Sequence, residues 1–477
     1  MSITTYTSPD INAYFQSKRA GLDAQLVERI VAFIDATTYS LDCAIYDLRH
    51  PDILAALARV AERPRVRLRI AYDNSGERNG GLEGDPKPSG TAQAIAETGL
   101  AQHATGVHEH GRHLMHDKYL VRDGRAVWVG SANFTTGGLE LQDNNCLAIQ
   151  SQALAALYSA SFEELISPQH THSEGRLRQA DPAPPPPAVT VDGARITTYF
   201  APAAGEGIED TLVEALRRAH RVRIMAFLIG DPGMLEALRP FASDHHFDIR
   251  GIYDPHGMED VTRASGHHGA SAHAGRTGKG RHGEPSAAGD ADFWFLRDPR
   301  FIAAPTHGFA PGREQDFMHN KVIVVDDQLV FTGSYNFSEN AEANDETMLA
   351  IDSPALAHAY TAYFDALASA YSHAGAREPV AVGATAGATA AAYSDQMVSQ
   401  LRSEHLQNER VAKEKRKEPR RERAARSPAA RKASVAPAAR RTSRLDSAIL
   451  LVVALMAFTI LALVAFGALV YAGVLFH

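Results

Sequence analysis

The chain has 477 residues, of which 45% are hydrophobic and 22% are charged, and its net charge is −8. This length exceeds one ordinary domain and suits two or three, and the composition is ordinary for a globular protein. Two cysteines, Cys43 and Cys146, exclude a disulfide framework beyond one bridge and favour a reducing compartment. The first 18 residues lack the basic and apolar regions of a secretory signal.

Positive charge is concentrated near the carboxyl end of an otherwise acidic chain. Residues 401–450 contain 15 Lys and Arg against 6 Asp and Glu, a net charge of +9, so the remainder carries −17. An acidic body with a basic tail indicates two different environments.

Hydrophobic periodicity predicts the same order of elements in two stretches of the chain. In the first stretch we expect a helix at 22–34, a strand at 39–46, a helix at 52–62 and a strand at 66–72. In the second we expect a helix at 208–220, a strand at 222–229, a helix at 233–241 and a strand at 247–253. Strand–helix–strand units of this length predict a mostly parallel sheet covered by helices. Asp73 and Asp254 end corresponding strands, where they either serve a ligand site or cap the following turn.

A longer pattern, His-x-Lys-x4-Asp-x6-Gly-Ser-x-Asn-Phe, occurs twice with a constant offset of 203 residues. Its two copies consist of His116, Lys118, Asp123, Gly130, Ser131, Asn133 and Phe134, and of His319, Lys321, Asp326, Gly333, Ser334, Asn336 and Phe337. Each copy lies on two predicted strands joined by a turn, at 119–121 and 127–129 and at 322–325 and 329–331. Two copies in register indicate a duplicated unit, which can bring two halves of one site together.

The spacing within each copy has a chemical consequence. Residues i and i+2 of a strand point to one face, so His116 and Lys118 share a face, as do His319 and Lys321. If the halves pack pseudo-symmetrically, two imidazoles and two ammonium groups converge. One imidazole can then attack phosphorus while the other protonates the leaving oxygen, and the lysines offset charge on the phosphoryl oxygens. Short donors that follow the strands can bind phosphate oxygens: Ser131, Ser334, Asn133 and Asn336.

These motifs resemble those of the phospholipase D superfamily, the HKD enzymes, and the resemblance covers about residues 20–375 of the chain. We therefore predict an α/β fold of two pseudo-symmetric phospholipase D-like α-β-α halves with mixed, mostly parallel sheets. The resemblance implies a covalent phosphohistidine, with His116 as nucleophile and His319 as general acid and then base. It also implies that Lys118, Lys321, Asn133 and Asn336 bind phosphate.

The same resemblance implies an acidic residue after each Asn-Phe that orients an imidazole. Glu346 matches in the second half, whereas Asn144 stands opposite it in the first half and Asp143 is one residue away. This asymmetry leaves open which histidine is the better base. For Asp123 and Asp326 we favour a structural role, because both lie at strand ends.

No metal and no cofactor are predicted. The histidines at 108, 110, 113 and 116 lie in a Gly-containing stretch that has no Cys and no supporting carboxylate spacing.

The predicted organisation has five parts. The halves occupy residues 1–167 and 191–377, separated by a Pro-rich linker at 168–190, and a disordered loop at 264–290 interrupts the second half. A low-complexity basic stalk at 378–447 precedes 29 uncharged residues at 448–476. As a helix rising about 1.5 Å per residue, this last segment is long enough to span the roughly 30 Å hydrocarbon core. The adjacent basic residues indicate a single-pass tail anchor that places the catalytic part in the cytoplasm, beside an anionic membrane surface.

These features favour a membrane-anchored phosphodiesterase that cleaves phospholipid to phosphatidic acid and a head-group alcohol. A nuclease of the same superfamily is the first alternative, although the charge of −17 outside the tail argues against a nucleic-acid partner. A cardiolipin synthase-like phosphatidyl transferase and an inactive membrane scaffold are the others. Because the two halves would pair within one chain, no obligate dimer is required.

Overall fold

A computed structural model of the chain describes residues 3–74, 90–107, 113–167, 185–264, 292–308 and 314–374. Most of the predicted linker, the loop from residue 265, the basic stalk and the predicted span at 448–476 lie outside the described residues. Residues 188–190 of the predicted linker belong to a strand. None of the helices within the described ranges combines the length and apolarity needed to cross a bilayer.

The first half forms an eight-stranded sheet. Its strands are β1 (Thr5–Thr7), β2 (Ile11–Gln16), β3 (Ser40–Ile45), β4 (Arg67–Asp73), β5 (Ala104–Val107), β6 (Lys118–Arg122), β7 (Ala126–Gly130) and β8 (Asn144–Gln150). They lie in the order β1-β2-β8-β7-β6-β3-β4-β5. The helices are α1 (Leu26–Asp35), α2 (Pro51–Ala61), α3 (Thr91–Glu97) and α4 (Gln152–Leu165).

The second half repeats this topology. Its strands are β9 (Ala188–Val191), β10 (Ala194–Ala201), β11 (Arg221–Ala226), β12 (Asp248–Tyr253), β13 (Phe301–Ala303), β14 (Lys321–Val325), β15 (Leu329–Gly333) and β16 (Glu346–Asp352). The order is β9-β10-β16-β15-β14-β11-β12-β13, in which every strand takes the place of its counterpart in the first sheet. The helices are α5 (Gly205–Arg218), α6 (Pro232–Leu238), α7 (Pro255–Ala264) and α8 (Pro354–Ala374). The predicted duplication is therefore confirmed.

The prediction of mostly parallel sheets is wrong. In the first sheet β3–β4 and β4–β5 are parallel, while the other five described pairs are antiparallel. The second sheet has the same division. Helical crossovers produce the parallel pairs, but β6 turns directly into β7, and β14 into β15, as hairpins. Asp123 and Asp326 begin these turns with φ values of 55° and 54°.

The predicted elements are confirmed, with boundaries that differ by a few residues. Helix α1 illustrates the pattern, since its buried residues Leu26, Ile30, Phe33 and Ile34 form one apolar face. Strands β1, β2, β5 and β8, helices α3 and α4 and their counterparts in the second half were not predicted. They matter for the site because β8 and β16 begin at Asn144 and Glu346.

A shared core joins the halves. Buried side chains from both sheets pack with Tyr158 and Phe162 of α4 and with Tyr360 and Phe364 of α8. Separate cores lie under α1 and α2 in the first half and under α5 and α6 in the second. The layers therefore run helix, sheet, paired central helices, sheet, helix, and this sandwich holds the two motifs in a fixed relation.

Candidate active site

The two halves exchange backbone hydrogen bonds immediately beside the motifs. The amide of His116 donates to the carbonyl of Asp345 over 2.9 Å, and the amide of His319 donates to the carbonyl of Asp143 over 3.0 Å. Each histidine therefore lies against the segment that precedes the last strand of the opposite half. The predicted convergence of the two motifs is present in the structure, where Lys118, Lys321 and His116 all act electrostatically on His319.

Glu346 binds His116 across this junction. The imidazole Nδ1 lies 2.8 Å from Oε1 and 2.9 Å from Oε2 of Glu346, whose side chain is 0% exposed. Burial raises the pKa of Glu346 to about 8, against the opposing effect of Lys118. The short contact holds a proton between the imidazole Nδ1 and the carboxyl group. Nε2 is the nitrogen that is left for chemistry.

His319 has a different partner. Its Nδ1 lies 3.1 Å from the carbonyl oxygen of Ser131 and 3.2 Å from Oδ1 of Asn144. A backbone carbonyl only accepts, so Nδ1 carries the hydrogen and Nε2 is again left for chemistry. Burial, together with Lys321 and Lys118, holds the pKa of His319 well below 6.5.

The structure thus decides which residue of the first half corresponds to Glu346. Asn144 occupies the place that Glu346 has in the second half, and Asp143 does not contact the imidazole of His319. The carboxyl of Asp143 instead accepts a hydrogen bond from the Tyr371 hydroxyl. One histidine is therefore paired with a carboxyl group and the other with neutral oxygens.

Both lysines are buried and face their own histidines. Nζ of Lys118 donates to the carbonyl of His116 over 2.6 Å, and Nζ of Lys321 donates to the carbonyl of His319 over 2.8 Å. Burial lowers the pKa of Lys118 to about 8 and that of Lys321 well below its ordinary 10.5. A bound anion would favour the charged form of both, so the site is suited to a negatively charged phosphoryl group.

The asparagines and serines of the motifs fall into two groups. Asn133 and Asn336 are partly exposed, and the described residues offer no hydrogen-bond partner to the buried Oδ1 of either. Both carboxamides therefore keep unused hydrogen-bonding capacity within the described residues. Ser131, by contrast, donates to Oδ1 of Asn144 over 2.7 Å, and Ser334 accepts from the amide of Thr347 over 3.0 Å. We assign the serines to support of the orienting strands and not to phosphate contact.

Asp123 and Asp326 lie away from the histidines. They follow β6 and β14, seven residues after His116 and His319, or roughly 20 Å along an extended strand. Asp123 accepts from the backbone amides of 38–40, and Asp326 from those of His220 and Arg221. Both therefore tie a hairpin turn to the start of the neighbouring strand, in agreement with the favoured structural role.

Asp73 and Asp254 prove to hold the segments that carry the histidines. The amide of Met115 donates to Asp73 over 3.0 Å, and the amide of Met318 donates to Asp254 over 3.0 Å. The sequence reading left their role open, because it could not show which amides they would meet.

Sequence reasoning missed the residue between each His and Lys. Asp117 accepts from the hydroxyl of Thr347 over 2.7 Å, and Asn320 accepts from the side-chain amide of Asn145 over 2.9 Å. These pairs join each motif to the opposite half, one residue beyond Glu346 or Asn144. Asp117 and Asn320 occupy the same position in the two copies of the motif, and this repetition is the sequence signal that could have identified them.

Comparisons with known proteins agree with this geometry. Residues 30–166 and 196–368 match the family described as "Cardiolipin synthase, PLD-like domain". No match is found among curated proteins.

Three solved structures are similar to this chain at low sequence identity. Phosphatidylserine synthase from Haemophilus influenzae Rd KW20 has 12% identity and a TM-score of 0.51, covering 76% of this chain and 87% of that one. The phospholipase D family member Nuc from Salmonella typhimurium has 21% identity and a TM-score of 0.27, covering 33% of this chain and 94% of its own. NucT from Helicobacter pylori has 18% identity and a TM-score of 0.28, covering 37% of this chain and 97% of its own. With two HKD motifs joined in one site and a family match over both halves, this chain belongs to the phospholipase D superfamily, in the family described as cardiolipin synthase, PLD-like domain.

Proposed function

We propose that this protein cleaves phospholipid phosphodiesters through a covalent phosphohistidine at His116, releasing phosphatidic acid and the head-group alcohol. The observation that carries the proposal is the bond from His116 to Glu346, over 2.8 Å, across the junction of the halves. Attack on phosphorus places positive charge on the attacking imidazole, and a carboxyl group at Nδ1 stabilises that charge.

In the first step, the lone pair on Nε2 of His116 forms a bond to phosphorus. The bond from phosphorus to the alcohol oxygen breaks, and His319 supplies a proton from Nε2 to that oxygen. A histidine that holds its proton weakly is a strong acid. Burial, together with Lys321 and Lys118, keeps the pKa of His319 low, and no carboxylate of the described residues lies at Nδ1 to oppose them. The charge of the bound phosphodiester favours loading of this proton before the step begins.

In the second step, the now neutral His319 removes a proton from water. The water oxygen attacks phosphorus, the bond to Nε2 of His116 breaks, and phosphatidic acid leaves. His116 and His319 return to their starting states. Lys118, Lys321, Asn133 and Asn336 bind the non-bridging oxygens throughout.

The description of the matching family supports lipid as the substrate class, since it names cardiolipin synthase. The uncharged segment at 448–476 and the basic residues before it support a membrane-anchored protein whose site faces the anionic cytoplasmic surface. The family description also favours a second candidate, phosphatidyl transfer. An alcohol then replaces water in the second step, and the other roles are unchanged.

The direct test incubates the full-length purified protein with phosphatidylcholine vesicles and, separately, with single-stranded DNA, in the presence of chelator. We expect phosphatidic acid from the vesicles, none from the His116→Asn variant, and no DNA cleavage. Added glycerol distinguishes hydrolysis from transfer, because transfer yields phosphatidylglycerol. Cleavage of DNA with no lipid turnover would contradict the proposal. Production of phosphatidic acid by His116→Asn at the rate of the wild type would also contradict it.

Asn144→Asp is expected to extend activity to higher pH. The pKa of His319 lies well below 6.5, so the protonated acid is lost, and kcat/KM falls, as pH rises through that low value. A carboxylate at position 144 favours the charged imidazole and should move this decline upward by about one to two pH units.

Profiles of kcat/KM against pH measure this shift. Asp143→Asn is the matched control: burial raises the pKa of Asp143 to about 7, and its carboxyl group contacts Tyr371 instead of His319. The control should therefore leave the profile in place. An unchanged profile in Asn144→Asp would mean that proton donation by His319 does not set the decline.

A further inference from the structure

Three carboxyl groups converge behind the second motif, outside the site described above. Glu209 comes from α5, Asp231 precedes α6, and Glu342 lies in the 3-10 helix Glu339–Ala343 before β16. One oxygen from each lies within 4.8 Å of the other two. None of the three forms an ion pair with a lysine, arginine or histidine in the described part of the chain. Carboxylates that lie this close without a cationic side chain repel one another, so a bound proton or a bound cation must offset the repulsion.

Two buried oxygen atoms at this place also lack a conventional hydrogen-bond partner in the described part of the chain. Asp231 is 1% exposed, and its Oδ1 accepts from the amide of Met234 over 2.8 Å. Among the described residues no backbone or side-chain N–H and no hydroxyl donates to its Oδ2, and Glu209 and Glu342 lie within hydrogen-bonding reach of this carboxyl group. The neighbouring carboxyl groups are acceptors and can serve Oδ2 only by sharing a proton. The hydroxyl of Tyr335, 2% exposed, is likewise unpaired within the described ranges and lies in the field of Glu342 and Asp231.

We propose that Glu209, Asp231 and Glu342 bind a divalent cation, and that Ca²⁺ is the ion that fits. All the donors are oxygen atoms, which hard cations prefer. Ca²⁺ accepts roughly 6–8 oxygen ligands in a flexible geometry and is commonly held by several protein carboxylates. Mg²⁺ demands near-octahedral geometry, keeps several waters and usually takes only one or two carboxylates, so three carboxylates from separate elements suit Ca²⁺ better.

The electrostatics of the cluster favour a cation. Burial and the neighbouring carboxylates raise the pKa of Glu209 to about 7 and that of Glu342 to about 8. The other charged groups that act on the three are also acidic, Asp210 on Glu209 and Glu339 on Glu342. Bound protons and a bound metal ion therefore compete for the same oxygens, and the ion wins as pH rises.

One member of the cluster lies close in sequence to Glu346, so a bound ion would affect the candidate active site. Glu342 lies four residues before Glu346, and Asn344 between them donates to Oε1 of Glu346 over 3.2 Å. A cation that holds the helix Glu339–Ala343 against α5 and α6 would steady the carboxyl group that faces His116. This consequence rests on the proposed function, but binding of the ion does not.

The test uses the full-length protein after removal of metal with chelator and dialysis. Thermal unfolding and calorimetric titration are followed with CaCl2, MgCl2 or ZnCl2 at pH 8 and at pH 6. We expect CaCl2 to raise the unfolding temperature at pH 8, to do so less at pH 6, and to exceed MgCl2 at equal concentration. Saturable heat in the titration should accompany the shift.

Glu342→Gln is the informative variant, because its metal-free form has less carboxylate repulsion. Without metal it should unfold at a higher temperature than the wild type at pH 8, and CaCl2 should add nothing further. Glu206→Gln on α5, where the side chain is exposed, is the matched control and should keep the full response to CaCl2.

Two results would overturn the proposal. The first is an absence of any metal-dependent shift in wild type at pH 8, which would mean that the carboxyl groups share protons instead. The second is an equal shift in wild type and Glu342→Gln, which would place the ion elsewhere. Because both readouts are independent of substrate, a failure of the proposed function would leave them unaffected.

Discussion

Replacing His116 with asparagine is expected to lower kcat for phosphodiester cleavage by about 10⁴-fold or more, since the variant has no group that can bond to phosphorus. Asparagine keeps a polar side chain of similar size beside Glu346, so the fold should persist. Steady-state assays on phosphatidylcholine vesicles measure the loss, and circular dichroism establishes that the variant is folded.

The corresponding change at His319 separates the two roles. With a p-nitrophenyl phosphodiester, whose leaving group needs no proton, His319→Asn should still permit attack by His116. Because the base that activates water is missing, the phosphohistidine should accumulate and appear by mass spectrometry on the peptide that contains His116. A phosphorylated peptide containing His319, found instead in the His116→Asn variant, would reverse the assignment.

Glu346→Gln is expected to lower kcat by roughly 100- to 10,000-fold with a much smaller change in KM. The amide still accepts a hydrogen bond from Nδ1 of His116, but it no longer stabilises positive charge on the ring during attack. Glu339→Gln, an exposed carboxylate in the preceding helix, serves as the control and should retain activity.

Stability should change in the opposite direction to activity in this variant. Burial raises the pKa of Glu346 to about 8, above its ordinary 4.5, so ionising this group destabilises the fold as pH rises through that interval. Glutamine removes this contribution, and thermal unfolding at pH 8 should occur at the same or a higher temperature. A large drop in both kcat and unfolding temperature would indicate a structural role for Glu346 and would count against its effect on the nucleophile.

Much of the site could be predicted from the sequence because the reactive residues of each half lie within a few positions of one another, and the same pattern occurs twice. The alternation of a strand places His116 and Lys118 on one face, and the second copy repeats that arrangement at His319 and Lys321. Hydrophobic periodicity likewise indicated the helices and strands that precede each motif. The direction of strand pairing was predicted wrongly. Strand–helix–strand units suggested parallel neighbours, but each sheet has only two parallel pairs against five antiparallel ones, which include the hairpins at Asp123 and Asp326.

The tertiary structure alone decided which groups meet across the halves. Sequence alignment left Asn144 and Asp143 as competing partners for His319, and packing of β8 against the opposite half selected Asn144. The same packing joined Asp73 to the amide of Met115 and Asp117 to Thr347, pairs whose members are distant in sequence.

The sequence by itself therefore determined the pair of HKD motifs, their strands and the class of chemistry, since these depend on spacing within a few residues. Only the tertiary structure decided that His116 faces a carboxyl group while His319 faces neutral oxygens. The physical reason is that a pKa depends on the burial and charge of every neighbour in space, and here those neighbours come from the other half of the chain.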